Sequence, residues 1–200
     1  MSVDHFAGRA DSYDQNPCRV DNVANIAQAI LRGVHIDRTS HLLDLGSGTG
    51  LLLERIAPHA GRITALDASS AMNAQLRAKL PGLGCPVDLV EADVETAPLP
   101  GVYDGVISSM TLHHIRDVEA LLRKLRAGLK DGGFIAIADL DREDGSFHEE
   151  DTGVFHHGFD RGELARWAGA AGFREVQVAA ASVVQKPQGD FPVFLLTARR

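Results

Sequence analysis

Cysteines and long apolar runs are both scarce in this sequence, and their scarcity excludes several classes of protein. The two cysteines among the 200 residues, Cys18 and Cys85, lack the spacing of a metal motif, so we expect free thiols in a reducing compartment rather than a disulfide. No apolar window approaches the roughly 18 residues of a membrane-spanning helix, and the first residues lack the apolar stretch of a signal peptide. We therefore expect a cytoplasmic protein that has no membrane partner.

Positive charge is also in deficit. Twenty Lys and Arg residues face 27 Asp and Glu residues, which gives a formal net charge of −7, and the densest basic stretch, residues 123–130, falls on a predicted amphipathic helix. Because an acidic chain without a basic patch does not attract a phosphate backbone, we expect no nucleic-acid partner. The apolar fraction of 44% and the charged fraction of 24% are those of a globular protein, and the length predicts one domain.

Short apolar runs alternate with longer helical stretches along most of the chain. The runs at residues 41–45, 62–67, 87–90, 102–109 and 134–140 are predicted strands. Two further strands are predicted at residues 175–184 and 193–198, on either side of Pro187 and Gly189, as in a hairpin. The pattern predicts an α/β fold, in which a doubly wound parallel sheet has helices on both faces and one antiparallel strand.

A glycine-rich loop follows the first predicted strand. The segment LLDLGSGTG passes from an apolar strand through Gly46, Gly48 and Gly50 directly into a predicted helix, a context that favours close approach of a ligand to the backbone. A dinucleotide fingerprint would need glycine where the chain has Leu51, so the G-x-G-x-G pattern argues against a dinucleotide. A purely structural turn between strand and helix is the alternative.

Four acidic residues stand at or just beyond the carboxyl ends of predicted strands, namely Asp44, Asp67, Asp93 and Asp139. Ligands bind at that edge of an open α/β sheet. Asp67 is placed to accept both hydroxyls of a ribose and Asp93 to accept from an adenine amine, although a helix cap and a turn are their respective alternatives. Asp44 would repel a pyrophosphate and meet a cationic amine. Together the acids suit a ligand with a ribose, an amine and a positive charge.

These motifs resemble those of class I S-adenosylmethionine-dependent methyltransferases, particularly the small-molecule branch of the ubiquinone and menaquinone type. LLDLGSGTG resembles the family's first motif, EADVE its adenine-side motif, YDGVISSMTLHHI its fourth motif, and LKDGGFIAIADL the segment that enters the fifth strand. The resemblance covers nearly the whole chain. It implies a Rossmann-like sheet of seven mostly parallel strands in the order 3-2-1-4-5-7-6, with the last strand antiparallel.

The expected organisation is a single methyltransferase domain, residues 1–200. Residues 1–33 would form an N-terminal cover segment and helix, residues 41–140 the cofactor-binding core, and residues 160–200 the last helix and strand pair. Residues 141–159 are long, polar and glycine-bearing yet contain three phenylalanines, which favours a flap over the acceptor pocket. A surface loop pinned to the last helix by the same aromatic residues is the alternative.

The resemblance implies S-adenosylmethionine as cofactor and S-adenosylhomocysteine as its product. The glycine loop would pass under the methionine part of the cofactor, Asp44 would orient the amine, and Asp67 would hold the ribose. The expected cofactor contacts are Tyr13, Asp44, Gly46, Ser47, Gly48, Asp67, Ala68, Met72, Asp93, Val94, Ser108 and Met110.

Histidines in the second half of the chain are the candidate catalytic residues. A general base helps when the methyl acceptor is a hydroxyl or a protonated amine, and it is unnecessary for a thiolate or a neutral amine. The candidates are His113, after the fourth strand, and His148 and His157 in the predicted flap, each with a loop histidine bound to backbone as its alternative. The histidine spacings match no zinc motif, so we predict no metal site.

The sequence therefore predicts an enzyme that transfers a methyl group to an O, N or S atom of a small-molecule acceptor. Two other functions remain as alternatives. One is a nicotinamide-dependent oxidoreductase on a Rossmann-like fold, which NAD(P)H binding would distinguish. The other is a non-catalytic regulatory protein that keeps the cofactor pocket, which a methylation assay would distinguish.

Overall fold

The structure, a computed structural model, describes residue 4 and residues 8–148 and 153–200. The α-helices are α1 (Pro17–Gly33), α2 (Leu51–Ile56), α3 (Ser70–Lys79), α4 (Val118–Ala127) and α5 (Arg161–Ala170). The strands are β1 (His41–Leu45), β2 (Arg62–Asp67), β3 (Val87–Glu91), β4 (Tyr103–Ser109), β5 (Leu129–Leu140), β6 (Arg174–Lys186) and β7 (Gly189–Arg199). Short 3-10 helices occupy Ala10–Gln15, Leu80–Gly82 and Leu112–His114.

The strands form one sheet in the order β3-β2-β1-β4-β5-β7-β6. The pairs β1–β2, β1–β4, β2–β3 and β4–β5 are parallel, whereas β7 runs antiparallel to both β5 and β6. The α/β class, the strand order and the antiparallel last strand expected from the sequence are confirmed. Strand β1 is followed in the chain by β2 on one side, whereas the neighbouring β4 is followed by β5 on the other side. The connections that leave the carboxyl ends of β1 and β4 therefore run in opposite directions, and they leave between them the crevice in which such sheets bind ligands.

Local side-chain chemistry explains where the helices begin. Ser69, Asp117 and Asp160 each accept a hydrogen bond from the backbone amide three residues later, which satisfies a donor that the first helical turn leaves unpaired. Helix α2 begins at Leu51, because Gly50 is left-handed with φ 86° and still belongs to the loop.

The three strands nearest the carboxyl terminus are longer than the sequence pattern indicates. Strand β5 begins at Leu129 and includes the two glycines at 132–133, where its pairing register with β4 shifts. Strands β6 and β7 pair as far as Lys186 and Gly189, so only two residues connect them and the predicted loop is a tight hairpin.

Apolar side chains pack on both faces of the sheet. Helices α1, α2 and α3 cover one face, with Ile26, Ile30, Leu53 and Leu76 fully buried. Helices α4 and α5 cover the other, where Leu122 is fully buried. This burial holds the loops at the carboxyl ends of the strands in fixed positions. Within the described residues, none of the helices combines the length and the apolar character needed to cross a membrane.

Candidate active site

A cavity of about 640 Å³ opens at the carboxyl ends of β1 and β4. Its walls come from residues of the N-terminal segment and α1, from the glycine loop, from the segment after β4, and from residues 147–148 and 184–187. Of the expected site residues, the cavity brings together Tyr13, Asp44, Gly46, Ser47, Gly48, Met110, His113 and His148. Its lining does not include Asp67, Ala68, Met72, Asp93, Val94, Ser108 or His157.

The glycine loop needs glycine for two different reasons. Gly46 has a φ of 68°, and a Cβ atom there would lie 2.2 Å from the Thr111 hydroxyl, so the segment after β4 excludes any side chain. Gly48 has a φ of 53°, but a Cβ atom there would meet nothing within 4 Å. Since Gly48 lines the cavity, its open side leaves the backbone accessible to a ligand.

Asp44 carries a buried carboxyl, one oxygen of which lacks a hydrogen-bond partner among the described residues. Only 1% of its surface is exposed, and its Oδ2 has no hydrogen-bond partner within the described chain. Burial, reinforced by the charge of Asp67, raises the pKa of Asp44 to about 8. Because an uncompensated buried carboxylate is costly, this position favours a ligand that brings a positive charge.

Asp67, at the end of β2, fastens the glycine loop. Its Oδ2 accepts a hydrogen bond from the amide of Gly48 and its Oδ1 accepts one from the amide of Ser69, both at 2.8 Å. Burial raises the pKa of Asp67 even though these two hydrogen bonds act in the opposite direction. The carboxylate therefore touches the loop that lines the cavity without lining the cavity itself.

The remaining expected cofactor contacts lie beyond the ends of β2 and β3. The amide of Ala92 donates to the carbonyl of Asp67 at 3.2 Å, which brings the segment carrying Asp93 to the end of β2. Ala68 is exposed, whereas Met72 and Val94 are buried. We call these five residues the outer strip (Asp67, Ala68, Met72, Asp93 and Val94), of which Asp67 contacts the glycine loop through the amide of Gly48.

Adjacent serines at the end of β4 face in different directions. Ser108 is fully buried and donates to the carbonyl of Leu45 at 2.7 Å, so it ties β4 to β1. Ser109 lines the cavity, and its hydroxyl has no partner in the described part of the chain. Met110 follows with a φ of 57°, a conformation that is unusual for a residue with a side chain, and it lines the cavity.

The N-terminal 3-10 helix is hydrogen-bonded to the glycine loop. The carboxylate of Asp14 accepts from the hydroxyl of Thr49 at 2.5 Å and from the ammonium of Lys79 at 2.5 Å. The guanidinium of Arg19 lies 3.7 Å from the ring centroid of Tyr13. Burial raises the pKa of Tyr13, so this phenol stays neutral in the cavity wall.

His113, which lines the cavity, forms a buried pair with Asp139. Nδ1 of His113 lies 2.7 Å from Oδ1 of Asp139, and the His113 amide donates to Oδ2 at 3.2 Å. Burial alone would raise the pKa of Asp139, but the charge of His113 and hydrogen bonds from His113 and Leu140 outweigh it and lower the pKa. Because an ionised carboxylate only accepts hydrogen bonds, Nδ1 of His113 carries the proton that lies between the two groups.

Two more imidazoles surround His113. Its ring centroid lies 4.2 Å from that of His114 and 5.1 Å from that of His148. Burial and the charge of His113 lower the pKa of His114 to about 4, and burial, His113 and Lys186 lower that of His148 to about 4. Both neighbours are therefore neutral at pH 7. Within the described residues, no group of His, Cys, Asp and Glu has the geometry of a metal site.

The loop that was expected to form a flap is only partly described, since residues 149–152 lie outside the described residues. On one limb Phe147 packs against Phe191, with ring centroids 5.2 Å apart. On the other limb the amide of Phe155 donates to the carbonyl of His113 at 3.0 Å. His157 is 63% exposed beside Glu143, so the structure does not bring it to the cavity.

Asn22 and Ser109 are among the polar residues of the cavity that sequence reasoning missed. Both line it, and Oδ1 of Asn22, like the Ser109 hydroxyl, is buried without a partner in the described chain. Asn22 did carry a signal, since it is a polar residue on the buried face of α1, beside Val23 and Ile26.

Residues 43–137 match the sequence profile of the family described as methyltransferase domain. An uncharacterised methyltransferase of Mycobacterium bovis is 35% identical over 100 residues, which cover 50% of this chain and 50% of that protein. A ubiquinone biosynthesis O-methyltransferase of Xanthomonas campestris is 32% identical over 134 residues, which cover 66% of this chain and 53% of that protein. The chain thus spans about half the length of the curated relatives that it matches.

Solved structures share the fold at low sequence identity. A Haemonchus contortus phosphoethanolamine N-methyltransferase in complex with S-adenosyl-L-methionine superposes with a TM-score of 0.73 at 16% identity. The match covers 100% of this chain and 60% of that one. At this level of identity the likeness establishes the fold.

Proposed function

We propose that this chain, whose residues 43–137 match a methyltransferase domain family, transfers a methyl group from S-adenosylmethionine to an O, N or S atom of a small molecule. The observation that carries the proposal is Asp44, a fully buried carboxyl without a partner in the described cavity wall. An amino acid ammonium group is the partner that such a carboxylate needs.

The residues around Asp44 fit the methionine part of this cofactor. Oδ2 of Asp44, the hydroxyls of Ser47 and Ser109 and Oδ1 of Asn22 are all buried polar atoms that lack partners within the described residues. All four residues line the same cavity. Buried polar atoms in folded proteins are normally satisfied, so a group of them around one cavity supports a polar, cationic ligand there.

The outer strip fits the adenosine part. Asp67 lies at the end of β2, where its carboxylate is placed to accept from ribose hydroxyls. Asp93, which follows β3 next to the Asp67 carbonyl, is placed to accept from the adenine amine. The base would lie beside the exposed Ala68, with the buried side chains of Met72 and Val94 beneath it.

The bound cofactor supplies a sulfonium methyl group that is already a strong electrophile, so the protein mainly has to align the acceptor with it and exclude water. Asp44 would orient the amine, and the glycine loop would hold the methionine chain. Tyr13 and Met110 would enclose the reacting end. The N-terminal segment, fastened by Asp14 to Thr49 and Lys79, holds Tyr13 over the cavity.

The net charge of −7, which disfavours nucleic acid, supports a small-molecule acceptor. The similarity to a ubiquinone biosynthesis O-methyltransferase of Xanthomonas campestris supports the same class of acceptor. Cys18 and Cys85 are free thiols, which supports a reducing, cytoplasmic setting.

Incubation with methyl-labelled S-adenosylmethionine and a size-fractionated cell extract tests the proposal. We expect label in the small-molecule fraction with wild type and a strongly reduced amount with Asp44→Asn. Label in the nucleic-acid or protein fraction would contradict a small-molecule acceptor. Absence of transfer to every fraction, with cofactor binding intact, would favour a non-catalytic cofactor-binding protein instead.

A further inference from the structure

We propose that the outer edge of β6 is an interface between two copies of this chain, which pair there in antiparallel orientation and join their sheets across a two-fold axis. Three features of β6 carry this inference: the open outer side of the strand, its uncharged middle, and the lack of acidic residues there in a chain that is acidic overall. The pairing goes beyond methyl transfer and requires no bound cofactor.

Strand β6 lies at one edge of the sheet and pairs with β7 alone among the described strands. It comprises 13 residues, so its edge is about 43 Å long. On the side away from β7, the backbone of residues 176–185 makes no hydrogen bond to the described residues. The amides and carbonyls of such an edge are a template on which another strand can pair.

The two edges of the sheet differ in how they are protected against pairing. Strand β3, at the opposite edge, has only five residues, of which Asp88 and Glu91 are acidic. Short length and charge both keep an edge strand from pairing. Strand β6 has neither protection, because no charged residue stands between Glu175 and Lys186. Its Val183 is a large apolar side chain that is 48% exposed, so this edge is the one open to a further strand.

Two irregularities in β6 shape the edge without closing it. The register against β7 shifts between Arg174 and Gln177 and again between Ala180 and Ser182, and such bulges increase the twist of a strand. Residues 177–180 and 182–186 remain regularly paired with β7. A second copy presents a strand of identical twist, so it can follow this edge where a straight strand could not.

The charge distribution selects a second copy of this chain as the partner. Because the chain has a net charge of −7, two copies repel each other over most of their surfaces. No acidic residue occurs from residue 176 to residue 189, so two copies can approach there without that repulsion. A basic partner would instead be attracted to the acidic remainder of the surface. Antiparallel pairing of a strand with its own copy is the self-complementary contact of a two-fold dimer.

The uncharged stretch, residues 176–185, sets the expected register. Antiparallel pairing of the whole stretch with itself places the two-fold axis between Ala180 and Ala181. Val183 of each copy then faces Val178 of the other, and apolar cross-strand pairs of this kind stabilise a sheet. The axis also brings the two Ala180 side chains near each other.

The helices beside β6 enlarge the contact. Helix α1 packs against one face of the strand and α5 against the other, so edge pairing brings their exposed surfaces towards the second copy. They add to the strand contact in reaching the roughly 1,200–2,000 Å² that a stable interface buries. Val184 and Gln185 belong to the paired stretch and line the cavity, so the pairing also supports one cavity wall.

Sedimentation velocity and light scattering over a range of protein concentrations test the proposal. Wild type should have twice the mass of a single 21.5 kDa chain. Val183→Asp should have the mass of one chain, because in the dimer each new carboxylate would lose its water against the apolar Val178 of the other copy. The side chain of Val183 is half exposed in the single chain, so the variant should keep its fold, which circular dichroism verifies.

Val102→Asp is the matched control. Val102 is also a valine, is 53% exposed, and lies just before β4, from which β5 and β7 separate β6. The control should keep the mass of two chains. Ala180→Asp and Ala180→Lys should each be monomeric, since like charges meet at the axis, and an equimolar mixture of the two should recover the dimer.

Wild type with the mass of one chain at every concentration, or Val183→Asp with the mass of two, would overturn the proposal. Assemblies of more than two copies, or a mixture of the two Ala180 variants that stays monomeric, would contradict the two-fold pairing. Should Val183→Asp unfold, the two Ala180 variants and their mixture decide, because Ala180 is exposed.

Discussion

The carboxylate of Asp67 accepts a hydrogen bond from the amide of Gly48 at 2.8 Å, which holds the glycine loop against the end of β2. The same carboxylate accepts from the amide of Ser69, immediately before α3. One acidic side chain thus shapes the loop and, in our proposal, binds the ribose. Its substitution should therefore affect stability and ligand binding together.

We predict that Asp67→Ala weakens S-adenosylmethionine binding by about 1.5–3 kcal/mol and lowers the free energy of unfolding by about 1–3 kcal/mol. Calorimetry and urea unfolding measure the two effects. Ser69→Ala is the control, because Ser69 caps α3 through the amide of Met72 and its loss should cost about 1 kcal/mol of stability while affinity is kept. Full affinity in Asp67→Ala would restrict Asp67 to its role in the loop.

Cofactor affinity should depend on the ionisation of Asp44. The pKa of its carboxyl is about 8 in the empty cavity, and a cationic ligand binds the ionised form. Affinity should therefore rise by up to tenfold per pH unit towards pH 8 and level off above it. Calorimetry in buffers of different ionisation enthalpy would detect the proton released on binding. A pH-independent affinity between pH 6 and 9 would exclude Asp44 as the amine partner.

Asp44→Asn should lower cofactor affinity and raise the stability of the fold. A raised carboxyl pKa means that the folded state binds the proton more tightly than the unfolded state, so stability is lost as pH rises from about 4 to 8. The amide does not ionise, and we expect the variant to gain stability relative to wild type across this window while it loses cofactor affinity. Thermal unfolding at pH 5 and pH 8 measures the difference, and a variant that is less stable at both values would contradict it.

Alanine at two of the loop glycines, Gly46 and Gly48, should lower stability by different amounts. Gly46→Ala places a Cβ atom 2.2 Å from the Thr111 side chain, so we expect a large loss of stability. Gly48→Ala meets nothing within 4 Å and incurs only the cost of a positive φ, about 1–2 kcal/mol. Gly48→Ala should remain folded and bind the cofactor poorly. Thermal unfolding and calorimetry separate the two, and equal stability of the variants would refute the packing argument.

Release of the N-terminal segment should loosen the cavity. Asp14→Ala removes the acceptor for both Thr49 and Lys79, so we expect faster cofactor dissociation in stopped-flow experiments and faster proteolysis before α1. Asp21→Ala, an exposed position on α1, is the control and should leave both rates unchanged. Identical dissociation rates in the two variants would indicate that the segment does not cover the cofactor.

The fold was largely predictable because its determinants are local. Buried strands show as apolar runs, and the acids at or just beyond the carboxyl ends of β1, β2, β3 and β5 mark the edge at which those ends meet. The sequence could not predict which of Ser108 and Ser109 points into the cavity. Helices cover both faces of β4, so polar and apolar residues do not alternate along this strand. Cavity residues on α1, such as Asn22, depend on how the helix rotates against the sheet.

The contact between His113 and Asp139 could not be predicted from the sequence either. Each residue was singled out, but their pairing across 26 positions depends on β4 and β5 being neighbours and on the rotamer of each side chain. His157 shows the converse, because a histidine in a conspicuous loop lies beside Glu143 in solvent. Residue type identifies candidates, whereas tertiary packing decides which of them share a cavity.

Calorimetric titration with S-adenosylmethionine, S-adenosylhomocysteine and NADH tests the central claim most directly. Three features favour the first two ligands. Oδ2 of Asp44 has no hydrogen-bond partner among the described residues, the loop has the pattern G-x-G-x-G, and Leu51 is buried where a dinucleotide motif needs glycine. We predict binding of both in the micromolar range and no heat of binding with NADH. Binding of NADH with no binding of either adenosyl compound would contradict the account.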